Sequence, residues 1–236
     1  MKVAVLQPGY LPWLGFFDQM SRVDAFVLYD DVQYTRSDWR SRNRIKGPGG
    51  SVWLTVPVLK KGRLGQTILE ARIDNRSGWQ RKHRETLKIH YGKAPYFARY
   101  WPIFDEGYAR IWEFLVDLDL FFIQRLRDAL GLKTRLLRSS ELGISGGPVE
   151  RLVALCQRLG ADHYLTGDAA AEYLDPAPFE AVGVTLEYQE YHHPTYPQMY
   201  GEFVPYLSAV DLLFNCGPDS RSRLDGRERQ KVLTDA

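Results

Sequence analysis

Cysteine is nearly absent: Cys156 and Cys216 are the only two in 236 residues. That excludes a disulfide scaffold and a thiolate-rich metal centre. Long apolar runs are missing as well. The longest, such as Leu118–Ile123, are far too short to span a bilayer, so no membrane insertion is expected. Charge of one sign is not in excess. Lys and Arg number 31 against 29 Asp and Glu, a formal net charge of +2, which does not favour nucleic acid as the partner of the whole chain. Nothing at the N-terminus reads as a signal peptide, because Lys2 runs at once into strand-like residues and the first turn signal is Pro8–Gly9. The expected localisation is cytoplasmic. No internal repeat and no low-complexity linker interrupts the chain.

What is present is an ordinary globular share of apolar residues, 44%, and a high share of aromatics, 13%. Many of the aromatics fall in Gly- and Pro-rich segments, where they line pockets or seal interfaces; the same surface leaves room for a homodimer. KVAVLQ (2–7) reads as a buried strand, followed by PGYLP, a short helix from Trp13 and a second apolar strand at 25–29. That spacing is the one a parallel βαβ crossover needs. VWLTVPV (52–58) reads as a strand and 77–91 as a helix capped by Ser77. Apolar residues at three- and four-residue spacing predict one helix over 108–130, closed by Gly131. Further strands are expected at 134–137, 163–165 and 184–188. A helix is expected over 149–159 with Pro148 at its first position and Gly160 as its stop, a short helix up to Tyr173, and another at 207–214. The pattern predicts a three-layer α/β fold with a mostly parallel sheet and a helical lobe. It is taken as a single α/β domain over 1–218, with a hairpin inserted near 47–66, a helical segment over 77–130 and a polar tail over 219–236.

The candidate chemistry clusters at strand ends. The run from Gln7 to Phe16 (QPGYLPWLGF) follows the first strand, on the edge where parallel sheets bind ligands. Gln7 offers a donor and an acceptor, Tyr10 and Trp13 offer rings, and Gly15 admits a close backbone approach; the alternative is a rigid turn whose rings only pack. Asp30 and Asp31 end the second strand and suit either Mg²⁺ or a substrate amine, or else a cap or salt bridge, and only one of the two is expected to face a site. Arg36, Arg40, Arg42, Arg44 and Lys46, with Trp39 and Asn43 among them, read as an anion site or as a solvated basic surface. GISGGPVE (143–150) is neither GxGxxG nor GxxxxGK[ST]. Thr166 and the amide of Gly167 suit a ribose or a phosphate. The loop YHHPTYPQ (191–198) holds His193, Tyr196 and Gln198, and its histidines are base candidates. No HExxH accompanies them, and no zinc site is expected. Cys156 falls at an apolar helical position.

Several of these stretches carry a resemblance. QPGYLPWLGFFDQ, DDVQY with RNRIK, WLTVPV, SSEL, ERLVALC, GADHYLTGDAAAEYLD, YHHPTYPQ and FVPYLSAVDLLFNCG resemble the WbqC-like protein family over nearly the whole chain. The resemblance implies a part in bacterial surface-polysaccharide or O-antigen biosynthesis. It carries over Gln7, Pro8, Tyr10, Pro12, Trp13, Gly15, Asp30, Asp31, Gln33, Trp39, Arg42, Asn43, Lys46, Gly167, His193, Tyr196 and Gln198. The opening also looks like that of pantothenate synthetase and the HIGH-motif nucleotidyltransferases, in which two histidines of an HxGH turn hold the ATP phosphates; this resemblance implies a Rossmann-like nucleotidyltransferase-type opening. Here Trp13-Leu14-Gly15-Phe16 stands in the comparable place; Gly15 matches and the histidines do not.

The resulting expectation is a transferase acting on a nucleotide-activated sugar or with a nucleotide cosubstrate. Asp31, Lys46 and His193 are the candidate catalytic groups. Gln7, Tyr10, Trp13, Gly15, Asp30, Gln33, Trp39, Arg42, Asn43, Arg44, Thr166, Gly167, Tyr196 and Gln198 are the candidate binding residues. ATP or a nucleotide-sugar with Mg²⁺ is the candidate cosubstrate, and a phosphorylated or nucleotide-linked small molecule the expected partner. The alternatives are an ATP-dependent acyl or aminoacyl ligase working through an acyl-adenylate, and a non-catalytic nucleotide or nucleic-acid binder.

Overall fold

In chain order the elements are β1 (Lys2–Leu6), α1 (Leu14–Ser21), β2 (Ala25–Leu28), β3 (Arg42–Gly47), β4 (Gly50–Thr55), α2 (Trp79–Tyr91), α3 (Phe97–Ala109), α4 (Leu115–Ala129), β5 (Arg135–Arg138), α5 (Pro148–Leu159), β6 (His163–Thr166), α6 (Ala177–Glu180), β7 (Thr185–Tyr188), α7 (Ala209–Cys216) and α8 (Ser220–Leu224). They come from a computed structural model that describes residues 1–225 except Leu64 and Tyr173. The chain divides into two compact units. The first takes Met1–Gln7, Asp18–Val32 and Lys133–His192; the second takes Pro8–Phe17, Gln33–Leu132 and the described residues from His193 on.

The first unit is built on a parallel sheet in the order β5-β2-β1-β6-β7. The flanking helices complete a three-layer α/β arrangement. The order runs backwards from β1 to β5 and forwards from β6 to β7, so it reverses between β1 and β6. β1 and β2 are apolar on both faces because both faces are covered. Val3, Val5 and Val27 pack with Val153 and Cys156 of α5, and Tyr164 stacks on Phe179 at 5.3 Å. Pro148 opens α5 and Gly160, at φ 66°, closes it. Burial pushes the Cys156 thiol up to about 12, so it behaves as a core residue.

The second unit holds the antiparallel pair β3–β4 and the helices α2, α3, α4 and α7. Three expectations are corrected there. The helix predicted over 108–130 is broken. Its apolar stripe is real for α4, where Leu115, Leu118, Phe122 and Leu126 are buried, but Ile111 is 84% exposed. Residues 110–114 leave the helix because the Trp112 indole donates to the Gly107 carbonyl, and Glu113 and Leu115 bond the backbone of Ile73 and Ala71. Ser77 does not cap α2. It lies in a 3₁₀ turn capped by Asp74, and Gly78, at φ 62°, redirects the chain into the helix. The expected polar tail from Asp219 begins with packed residues, because Ser220 and Leu224 of α8 are buried. Residues 226–236 and Tyr173 lie outside the described residues.

The basic run around Arg42 forms a strand. Its turn is GPGG and its partner is β4, which ends before Pro57, so the pair spans Arg42 to Thr55. No helix among the described residues is long and apolar enough to cross a membrane.

Candidate functional site

At the carboxyl edge of the first unit's sheet stand Gln7 after β1, Asp30 and Asp31 after β2, and Thr166 with Gly167 at the end of β6. Asp30 is fully buried. It accepts hydrogen bonds from Arg138 Nε at 2.6 Å, from the Ser140 amide at 3.0 Å and from Ser140 Oγ at 3.0 Å. Ser139 accepts the Asp30 amide at 3.1 Å and donates to Asp31 at 2.6 Å. Asp31 is the more open of the two and is ion-paired with Arg151 at 2.5 Å. Arg151 also lies over the Tyr29 ring. The two carboxylates thus fasten Ser139 and Ser140 beyond β5 to the end of β2. Among the described residues no group of three His, Cys, Asp or Glu side chains is placed to hold a metal ion.

In the second unit the segment after Gln7 is a tightly held loop. Tyr10 is buried, with its hydroxyl at 2.8 Å from His83 Nδ1 and beside the Tyr108 hydroxyl. Burial lowers His83 to about 4, so its ring is neutral at pH 7. The Asn43 amide donates to the carbonyls of Leu11 and Tyr10. A Cβ on Gly15 would fall 2.3 Å from the Trp13 indole, so the space above this glycine is taken by Trp13 itself.

Lys46 is 1% exposed. Its ammonium donates to Gln198 Oε1 at 3.0 Å and to the Glu202 carbonyl. Gln198 donates in turn to Asp211 at 2.8 Å, and Tyr91 joins the Lys46 amide to Asp211 at 2.8 and 2.7 Å. Burial raises the Asp211 carboxyl above the usual range, and burial together with the Asp211 carboxylate raises the Tyr196 phenol. Lys46, Tyr196 and Gln198 therefore belong to one buried network.

A different set of predicted residues meets at the surface. Arg42 lies 4.4 Å from the Trp53 ring centre, and Arg44 lies 5.6 and 5.7 Å from Trp53 and Trp39. The two indoles are 5.5 Å apart and remain 45% and 40% exposed. Arg44 reaches the Tyr206 carbonyl at 3.5 Å; the Tyr206 ring lies 5.8 Å from Trp13 and 5.1 Å from His193. Burial lowers the His193 pKa, which favours the neutral imidazole. Trp13, Trp39, Arg42, Arg44 and His193 are thus brought together with Trp53 and Tyr206. Gln33 is placed elsewhere in this unit, bridged to Thr67.

Sequence reasoning missed Trp53, Tyr206, Arg138, Arg151 and Asp211. Trp53 had a signal, since a strand register pairs it with Arg44. The others join through long-range packing.

The WbqC-like protein family model matches residues 7–223. The chain belongs to the WbqC-like protein family. It is similar to the uncharacterized protein Rv1507c of Mycobacterium tuberculosis, with 39% identity over 225 residues, 93% of this chain and 95% of the relative. No solved structure matches it. The WbqC-like match takes in both the sheet-edge acids and the aromatic and cationic patch.

Proposed function

We propose that this WbqC-like protein is a transferase of surface-polysaccharide biosynthesis that binds a nucleotide-activated sugar on the patch of the second unit. The observation that carries this reading is the convergence of Trp13, Trp39, Arg42, Arg44 and His193 with Trp53 and Tyr206. Guanidinium forks match a diphosphate, and exposed indole faces stack on a base or a sugar ring. His193 Nδ1 donates to the Pro194 carbonyl at 2.9 Å, which leaves Nε2 as the basic nitrogen. It would take the proton from an acceptor hydroxyl or amine as that atom bonds to the sugar's anomeric carbon, while the bond from that carbon to the nucleotide's phosphate oxygen breaks and the nucleotide leaves with its charge held by Arg42 and Arg44. The family resemblance supports the pathway.

A second reading has its own observation. Strand order reverses between β1 and β6, and ligands of open α/β sheets bind at the carboxyl ends of strands at such a reversal. Gln7, Thr166 and the Gly167 amide would hold ATP with Mg²⁺ there, with Asp31 nearby, in an acyl or aminoacyl ligase.

Thermal shift confirmed by calorimetry separates the two. ATP, UDP-sugars, dTDP-sugars and CMP are added with and without Mg²⁺ to the wild type, Arg44→Ala and Thr166→Val. Only ligands that favour the native state raise its stability. A selective nucleotide-sugar shift lost in Arg44→Ala supports the transferase. A Mg²⁺-dependent ATP shift lost in Thr166→Val favours the ligase. Binding that tolerates any base, takes up oligonucleotides and weakens steadily with salt points to the non-catalytic binder. No shift across the panel rejects a nucleotide ligand altogether.

A further inference from the structure

Two clefts of the second unit, of about 470 and 430 Å³, share the wall formed by Arg63, Gly65 and Gln66. Gln66 is 8% exposed, and neither its Oε1 nor its Nε2 has a hydrogen-bond partner among the described residues. Its backbone is fixed: the Tyr34 amide donates to the Gln66 carbonyl at 2.9 Å, and the adjoining Gln33 and Thr67 form an antiparallel bridge. An amide donor and acceptor are therefore held in the wall with their hydrogen-bonding capacity unused. Buried polar groups in folded proteins are almost always paired, so such a group calls for an explanation, and a ligand supplies one.

The charges around it are unequal. Arg72, on the far side of the smaller cleft, is already paired with Glu113, and the Glu70 carboxylate is turned to the Thr67 amide and hydroxyl. Arg36 and Arg63, which line the larger cleft, form no ion pair within 4.0 Å among the described residues, although the Arg63 charge acts at longer range on the Glu70 carboxylate. Excess positive charge thus faces a space of the size that small-molecule sites have.

We propose that this cleft binds a phosphorylated small molecule, its phosphate held by the Arg36 and Arg63 forks and a hydroxyl or amide of the same molecule paired with Gln66. The site lies wholly in the second unit and does not depend on the nucleotide-sugar reading.

Titration calorimetry of the full chain with inorganic pyrophosphate tests it. Saturable binding is expected, about tenfold weaker in Arg63→Ala because a charge-assisted hydrogen bond is lost. Gln66→Glu keeps the shape of the wall but sets a like charge against the anion, and is expected to weaken binding at least as much. Arg36 is exposed, so Arg36→Ala gives the same reading without disturbing the core if Gln66→Glu fails to fold. Arg81→Ala, which removes an exposed charge of α2 that lines neither cleft, is expected to bind pyrophosphate as the wild type does. Binding lost in Arg44→Ala but kept in the Arg36 and Arg63 variants would place the anion on the aromatic patch and overturn the proposal. So would the absence of saturable binding. A nucleotide-sugar panel that fails while pyrophosphate binds here would sink the transferase reading alone.

Discussion

The Asn43 amide donates to the Leu11 carbonyl at 2.8 Å, and Leu11 is held at φ 45°, in the left-handed region that leucine rarely occupies. The same amide reaches the Tyr10 carbonyl at 3.3 Å, while Asn43 Oδ1 accepts the Arg44 amide at 2.8 Å. One buried side chain thus clamps the PGYLP loop to β3 and holds a strained residue in place. Asn43→Ala is expected to lower stability by about 1–3 kcal/mol. Asn43→Asp should lower it further, because a carboxylate would face two carbonyls with no proton to offer. Urea unfolding midpoints check this, and an Asp variant as stable as the Ala variant would remove the donor role.

Lys46 and Asp211 are coupled through Gln198, which accepts from the ammonium and donates to the carboxylate. Removing either charge leaves the other buried. Lys46→Met is expected to destabilise by about 1–3 kcal/mol, because the hydrogen bonds to Gln198 and the Glu202 carbonyl are lost and the buried Asp211 carboxyl loses a nearby positive charge. The double variant with Asp211→Asn should cost less than the two single variants added together, by more than about 0.5 kcal/mol. Strict additivity in a double-mutant cycle would show that the network does not couple them. Ligand affinity measured on folded Lys46→Met is expected to stay near wild type, because the ammonium faces Gln198 and the Glu202 carbonyl and not solvent.

The elements that sequence made legible are those with local punctuation. Pro148 and Gly160 bracket α5, and unbroken apolar runs mark β1 and β2 as strands covered on both faces. The break between α3 and α4 could not be read, because it is made by Trp112 and by backbone bonds to residues some forty positions earlier in the chain. β3 escaped because Lys46, a charged residue, is buried beside Ile45 and hides the alternation. At the sheet edge the acids Asp30 and Asp31 were legible as chemistry. Their partners Arg138 and Arg151 were not, since only folding brings them within hydrogen-bond reach. The five predicted residues of the aromatic patch were legible singly; Tyr206, which links Arg44, Trp13 and His193, carried no motif.

Two buried groups of the second unit give stability opposite pH slopes. Burial lowers His83 from 6.5 to about 4, so the unfolded chain binds its proton more readily. Its contribution is fully present above pH 6.5 and is lost as pH falls toward 4. Burial raises the Asp119 carboxyl well above 3.8, and neither of its oxygens has a hydrogen-bond partner among the described residues. Its folded form holds the proton longer than its unfolded form, so stability falls as pH rises above 3.8, at up to about 1.4 kcal/mol per pH unit. The two slopes oppose each other between pH 4 and 6.5. Asp119→Asn is therefore expected to gain stability relative to wild type as pH increases, and His83→Gln to gain relative stability as it decreases. Urea midpoints taken from pH 4.5 to 8 check both. Parallel profiles for wild type and Asp119→Asn would show that the carboxyl titrates alike in the folded and unfolded chain.

The Tyr206 ring sits 5.1 Å from His193 at a steep angle, with Phe203 at 5.8 Å on another side. These rings exclude water from the imidazole, and that desolvation lowers its pKa below 6.5. Tyr206 is itself half exposed, so Tyr206→Ala removes a cover without emptying the core. In that variant the His193 pKa, followed by the ring-proton shifts in NMR, is expected to move up toward 6.5, while the bond from Nδ1 to the Pro194 carbonyl keeps the same tautomer. Any reaction that uses His193 as base would then lose its rate at a higher pH than in wild type, because more of the imidazole is protonated below that point. A His193 pKa that does not respond to Tyr206→Ala would mean that Phe203 and Tyr196 supply the desolvation, and that the patch can lose Tyr206 without altering its base.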